Sequence, residues 1–569
     1  MMLALPPNVP DVWGEGLLFG FSGLDGATET AGGFVATFAE HPYDLLLHTP
    51  RKRLLRVRTR GSCTVRAATG DVLAVAAPDG ELALTWAAWH TLVGAVPPSA
   101  EVALAFADEQ ARPSDATVDA EHGDAVALVR RPGRVAVACG ADAEQAVARA
   151  NAALDADIEA LVRERLAYLR ELPSRGDPLS DRLLAKCVSV MKVNTLSPEG
   201  AIGHTWSTPD RVPHRHMWLW DSAFHSLAMN HVDPGVSREI LHAVLDRAWT
   251  EADGQPERTG MISHMMTVDG SRSPITQPPL LAWAVLENVR ASGDLAWAAE
   301  AVGALGAYLG WDLEHRDRNG NHLLEWTIEG SPRCRSGESG LDNSPRFDAA
   351  ATLDAVDFSA LVAHDARCLA ALHRLLGSEA EAAGWDARAA EVEAALHALL
   401  WSEADGFYYD RTMDGELTGV KAVTGFFPLL LASLPPERVE RLVATLRSEH
   451  FHTAFPVPSV AATDPEFSTD MWRGATWANT NYLVIRGLRL HGRHDEAARL
   501  RDLTIAHVQK HYEQQGALFE FYDAADRVPP TRCHRKGPLD GKPYLLGKVN
   551  SIRDYHWTAA LTACLLLEA

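Results

Sequence analysis

Hydrophobic and polar positions follow two different periods along this chain, and the change of period divides it. From about residue 17 to 140, short apolar runs recur between Gly, Asp and Pro turns: GFVATFAE, YDLLLHTP, RLLRVRTR, DVLAVAAP, ELALTWAAW, AVALVRR and RVAVACG. Runs of this length and composition, closely spaced and bounded by turn signals, predict the strands of a β-sandwich. Phe19–Gly26 is too glycine-rich for a strand interior and predicts a loop that reaches another domain. Near residue 143 the period becomes helical. AEQAVARANAALDADIEALVRERLAYLREL has apolar residues three and four apart, without internal Gly or Pro, and predicts one long helix. Ser174–Pro178 then breaks the chain.

Beyond that break the helical period persists almost without strand signal. Helices are predicted near 179–195, 220–231, 235–251, 277–292, 294–315, 353–376, 379–400, 417–432, 436–448, 474–491, 494–513 and 555–568. Twelve helices taken as six hairpins can close into an inner and an outer ring, an (α/α)6 toroid, with the inner ring more apolar because it is covered on both sides. A helical solenoid would show a fixed sequence period, and none is present. The chain therefore reads as mainly α: a β-sandwich domain over 1–142, a linker helix over 143–177, and a toroidal domain over 178–569.

Charge and cysteine usage narrow the partners. A net charge of -22 argues against nucleic acid and anionic membranes, which both need a positive surface. No apolar run approaches the ~20 residues of a membrane span. The start, MMLALPPNVPDVWGEG, lacks a basic region and its apolar run is cut by prolines, so no signal peptide is expected. Seven scattered cysteines, none in CxxC spacing, predict reduced thiols in a cytoplasmic protein rather than disulfides or a structural zinc. None of this fixes an oligomeric state.

Candidate chemistry lies in the loops between helices. Glu338–Asp348 (ESGLDNSPRFD) packs carboxylates among turn residues, although Asp342 or Asn343 could simply cap the following helix. His216–Asp221 (HMWLWD) sets Trp218 and Trp220 beside Asp221, a combination that suits a sugar: the rings stack on its C–H face and the carboxylate accepts from hydroxyls. His214 and His216 lack a third ligand at metal spacing and read as structural; no metal or cofactor is expected. Gln277 precedes Pro278-Pro279 at a helix start. Met471–Asn479 (MWRGATWAN) supplies Trp472, Arg473 and Trp477, and Phe519–Asp523 (FEFYD) flanks Glu520 with aromatics that could desolvate it. Such loops on a helical scaffold point to a small carbohydrate substrate. Hydrolysis of a glycoside needs one carboxyl group to protonate the leaving oxygen and another to activate water. Asp342 and Glu520 are the candidate pair.

In their order along the chain, W-L-W-D, T-Q-P-P, ESGLDNSPRFD, W-R-G-x-x-W-x-N and F-E-F-Y-D resemble glycoside hydrolase family 63, with its relatives the family 37 trehalases and the mannosylglycerate and glucosylglycerate hydrolases. The resemblance covers roughly residues 180–569. It implies an (α/α)6 catalytic domain and an inverting exo-α-glycosidase, with α-glucosidase activity the first expectation and a glycosylglycerate hydrolase the alternative. It casts Asp342 as general acid and Glu520 as general base. Trp220, Asp221 and Gln277 would hold the non-reducing sugar, joined by Trp472, Arg473, Trp477 and the late Trp557; Trp218, Asn343 and Arg346 complete the candidate set.

The chain departs from the family's short link between F-E-x-Y-D and the late Trp. Residues 524–553 intervene, with Arg527, Arg532, Arg535, Lys536, Lys542, Lys548 and Arg553 against Asp526 and Asp540, a local balance of +5. Either this loop lies near the mouth and favours an anionic aglycone, or it is a surface segment paired with the acidic body. The rival readings are an epimerase, isomerase or lyase on the same scaffold, and a carbohydrate-binding protein without turnover.

Overall fold

The computed structural model describes residues 2–568 except 32, 109–113, 329–330, 332, 350–351 and 538–549. Its N-terminal part contains β1 (Leu18–Phe19), β2 (Ala36–Phe38), β3 (Leu45–Leu47), β4 (Arg53–Arg58), β5 (Thr64–Ala68), β6 (Val72–Ala77), β7 (Gly80–Ala88), β8 (Thr91–Ala95), β9 (Glu101–Phe106), β10 (Ala116–Asp119), β11 (Asp124–Arg131) and β12 (Arg134–Gly140). These form two antiparallel sheets, ordered β1-β2-β3-β4-β9 and β10-β11-β12-β8-β7-β6-β5. Alternation along β4 turns Arg53, Leu55 and Val57 inward. Trp86 on one sheet meets Phe19 on the other at 5.8 Å between ring centroids, and buried Arg53 pairs across the sheets with Asp124 at 2.8 Å.

The predicted long helix is two. α1 (Ala143–Ala153) and α2 (Ile158–Arg165) are separated because Asp157 accepts from the Ala160 N–H and caps a fresh start. Rather than spanning free space, both lie on the seven-stranded sheet, where Ala150, Ile158 and Val162 pack with Ala74, Val93 and Ala136.

The remaining helices are α3 (Pro178–Val193), α4 (Leu219–Met229), α5 (Pro234–Leu245), α6 (Leu281–Ser292), α7 (Leu295–His315), α8 (Val356–Leu375), α9 (Glu379–Leu399), α10 (Pro436–Leu446), α11 (Ala478–Leu490), α12 (His494–Gln515) and α13 (His556–Leu567). The helix expected over 417–432 forms only as a 3-10 segment, Val423–Leu430, which contains Pro428 and so lacks one N–H donor. α6 starts four residues later than expected, after Pro278-Pro279. Packing runs from α4 to α6, α8, Val423–Leu430, α11 and α13, and from α13 back to α4. Behind these, α5, α7, α9, α12 and α3 pair with α4, α6, α8, α11 and α13 respectively. Burial follows this order: α4 is buried throughout, whereas α9 buries six of its 21 residues.

The glycine-rich loop after β1 does reach the helical part. Gly23 N–H donates to Thr195 O, Ser22 Oγ to Lys192 O, and Arg211 Nη1 to Phe21 O. Lys192 Nζ closes the junction on Asp71 at 2.6 Å and Asp25 at 3.0 Å.

Candidate active site

The motifs singled out in the sequence lead into the first turns of α4, α6, α8, α11 and α13, helices that follow one another around the packing cycle. Their loops line one cavity of about 160 Å³. Asp342, Glu520, Asp221, Gln277, Trp218, Trp220, Trp472, Trp477 and Trp557 all lie on its wall. Trp472 and Trp477 stack at 3.7 Å, and Trp557 stands edge-on to Trp220. The indole N–H groups of Trp218 and Trp557 and Oδ1 of Asp221 are buried without a hydrogen-bond partner among the described residues. Buried polar atoms of this kind want a ligand, and sugar hydroxyls supply both donors and acceptors.

Each wall has a local anchor. Buried Glu338 accepts from the backbone N–H of Thr276 and Thr327 and from Arg316, tying the Asp342 loop to the segment that carries Gln277. Gln277 Oε1 accepts from the Trp220 N–H at 3.2 Å. Gly340 packs its backbone on the Trp220 indole, where a Cβ would come within 2.5 Å, and its φ of 72° favours glycine. The Asp342 carbonyl accepts from the N–H groups of Arg335 and Ser336.

The basic stretch provides the largest departure from expectation. Arg535 grips Glu520, Nε to Oε2 at 2.9 Å and Nη2 to Oε1 at 3.3 Å, and Lys536 Nζ lies 2.5 Å from Asp342 Oδ2. The charge that meets Glu520 is thus a guanidinium, while its flanking Phe519 and Phe521 are fully buried in the core. Arg535 and Lys536 line the cavity itself, so these two are not surface residues paired with the acidic body. Lys536 has φ 56°, an uncommon angle for a side-chain-bearing residue, and Gly537 N–H anchors it by donating to Asp470 Oδ2. Lys542, Lys548 and Asp540 lie outside the described residues.

His214, read from sequence as structural, also turns into the cavity. Arg535 Nη2 contacts its Nε2 at 3.1 Å and can only donate, so Nδ1 carries the proton and donates it to Asp210 at 2.6 Å. His264 and Tyr555 complete the wall and gave no motif signal. Burial pushes His264 down to about 4 and Tyr555 well above the usual phenol range. The Asp221 carboxyl is held well above the usual carboxylate range, first by burial and then by the nearby Glu520 and Asp342 charges. Burial alone would depress Lys536, but Asp342 beside it raises the ammonium above its ordinary value.

Three predicted contacts face elsewhere. Asn343 ties the Asp342 loop to the next one, accepting from Trp472 N–H and donating to Asp470 O. Arg346 is fully buried between Asp357 and Asp410. Arg473 is occupied by Asp348, Glu466 and the Asn343 carbonyl. Their polar groups are used inside the protein. The described groups with metal-ligand spacing, such as His204, His242 and Asp246, do not line the cavity either.

Residues 214–527 match the family model described as the mannosylglycerate hydrolase MGH1-like glycoside hydrolase domain. An uncharacterised protein of Borreliella burgdorferi is 30% identical over 233 residues, covering 40% of this chain and about half (46%) of that protein. The mannosylglycerate hydrolase of Rubrobacter radiotolerans is 24% identical over 448 residues, covering 62% of this chain and 91% of that one. The crystal structure of the GH63 mannosylglycerate hydrolase of Thermus thermophilus in complex with glucose superposes with a TM-score of 0.54 at 25% identity, over 68% of this chain and all of that one. With Asp221, Asp342, Glu520 and most of the cavity's tryptophans inside the matched span, the chain belongs to the mannosylglycerate hydrolase MGH1-like family of glycoside hydrolases, within glycoside hydrolase family 63.

Proposed function

We propose that the chain is an inverting, exo-acting α-glycosidase that prefers a short glucoside or mannoside with an anionic aglycone, of the glycosylglycerate kind. Asp342 protonates the glycosidic oxygen as the C1–O bond breaks. Glu520 takes a proton from the water whose oxygen bonds C1 from the opposite face, which requires carboxyl groups about 6.5–9.5 Å apart. The closed packing cycle of helix pairs supports an (α/α)6 toroid over 178–569, and the two facing sheets support an N-terminal β-sandwich domain.

The observation that carries the aglycone preference is the contact of Lys536 Nζ with Asp342 Oδ2. A leaving oxygen must approach the acid, so a bound glycoside displaces the ammonium. An anionic aglycone gives the displaced cation a new partner, whereas a neutral one leaves it partly buried and unpaired. A hydrogen bond to a charged group contributes about 1.5–3 kcal/mol, roughly one to two orders of magnitude in kcat/KM.

An NMR time course on α-glucosylglycerate, α-mannosylglycerate, trehalose, kojibiose and nigerose tests this. The β-anomer is the expected first product, with turnover abolished in Asp342→Asn and Glu520→Gln. Lys536→Met should erase most of the preference for the anionic substrates. Release of the α-anomer would sink the two-carboxylate mechanism; equal rates on neutral and anionic glycosides would sink the aglycone assignment alone.

A further inference from the structure

A second cleft, of about 450 Å³, opens where the N-terminal β region meets the Arg211–His216 loop. Its chemistry is the reverse of the protein's overall balance. Lys52, His48, Arg211, Arg215 and His216 line it, against the single carboxylate of Glu29, in a chain of net charge -22. Arg211 is 6% exposed, and its hydrogen bonds run from Nη1 to the carbonyls of Phe21 and Val193. Among the described residues no carboxylate pairs with it: Glu199 acts through space while its own oxygens take the N–H and hydroxyl groups of Thr30. Burial accordingly pushes the Arg211 guanidinium down to about 10. Arg215, exposed at the rim, likewise has no ion-pair partner among the described residues.

A buried cation without a counter-charge is costly, and proteins normally supply one. Here Arg211 lines a cleft that Arg215 and Lys52 also line. We propose that this cleft is a binding site for a small oxyanion, a phosphate or carboxylate group, held between Arg211, Arg215 and Lys52. The same loop carries His214 into the catalytic cavity, so an anion seated here bears on the partner of Arg535.

Titration calorimetry on the full chain, with inorganic phosphate and separately with D-glycerate, tests the site. Phosphate affinity should fall about tenfold in Arg215→Ala and again in Lys52→Ala, as expected for losing one charge-assisted contact each. It should persist in an Arg535→Met/Lys536→Met double variant. Arg215 and Lys52 are surface-reaching, so these variants stay informative where Arg211→Met fails to fold. Glycerate taken and phosphate refused assigns the site to carboxylates where that binding weakens in Arg215→Ala and persists in the Arg535→Met/Lys536→Met double variant. Binding that survives Arg215→Ala and Lys52→Ala but vanishes in the double variant places the anion in the catalytic cavity and overturns the proposal. So does the absence of saturable binding of either anion to the wild type.

Discussion

Replacing Arg346 separates two readings of the same motif. A substrate-binding arginine four residues after Asp342 would raise KM when removed and leave stability alone. The structure predicts the reverse. Arg346 is wholly buried and forks both ways: Nη1 and Nη2 to Asp357 at 2.7 and 2.8 Å, Nε and Nη2 to Asp410 at 2.6 and 2.8 Å. Burial alone would weaken the guanidinium, yet the two aspartates more than offset it and raise its pKa. Both carboxylates keep other donors, Trp326 Nε1 for Asp357 and the Val356 N–H for Asp410, but neither keeps a cation.

Removing one partner of a buried pair costs about 3–5 kcal/mol, a large share of a typical total stability of about 5–15 kcal/mol. Arg346→Met should therefore lower the urea midpoint strongly. Arg346→Lys, which cannot form both forks, should fall between. Adding Asp357→Asn and Asp410→Asn to Arg346→Met removes the stranded charges and should recover part of the loss, giving a coupling energy by mutant cycle. Urea unfolding followed by circular dichroism, with KM measured on the folded fraction, reads both quantities. A raised KM at an unchanged midpoint would refute the reasoning and return Arg346 to the substrate.

Gly340→Ala forces a left-handed angle costing about 1–2 kcal/mol and drives a methyl into Trp220. A displacement near 1 Å at the cavity wall can cost about a hundredfold, so kcat/KM should fall toward that; an unchanged value would show the contact to be irrelevant. Asp221 binds its proton more tightly folded than unfolded, so its penalty is absent below the ordinary value of 3.8 and grows as pH rises toward the raised folded value. Asp221→Asn lacks this penalty and should gain stability over wild type as pH climbs above 3.8; parallel midpoint-versus-pH curves would contradict it.

What the sequence made legible follows from what kind of information each residue carries. Helical period and helix starts located the inner elements, and Trp, carboxylate and amide groups clustered before those starts marked the loops that build the cavity. Direction was not legible. Arg346 and Arg473 stand in the same motifs as Asp342 and Trp472, but their partners Asp410 and Asp348 lie 64 and 125 residues away. A polar loop residue reads alike whether it faces a ligand or fastens two loops together. Local charge flagged the 524–553 stretch without saying which cation would turn inward. Arg535 and Lys536 are neighbours, and a left-handed turn at Lys536 accompanies their reaching different carboxylates. The placement matters chemically because in the proposed mechanism those carboxylates do opposite jobs, one giving a proton and one taking it. A cation beside each sets its hydrogen bonds before substrate arrives, so the order in which Lys536 and the leaving oxygen occupy Asp342 becomes part of the mechanism rather than a detail of the loop.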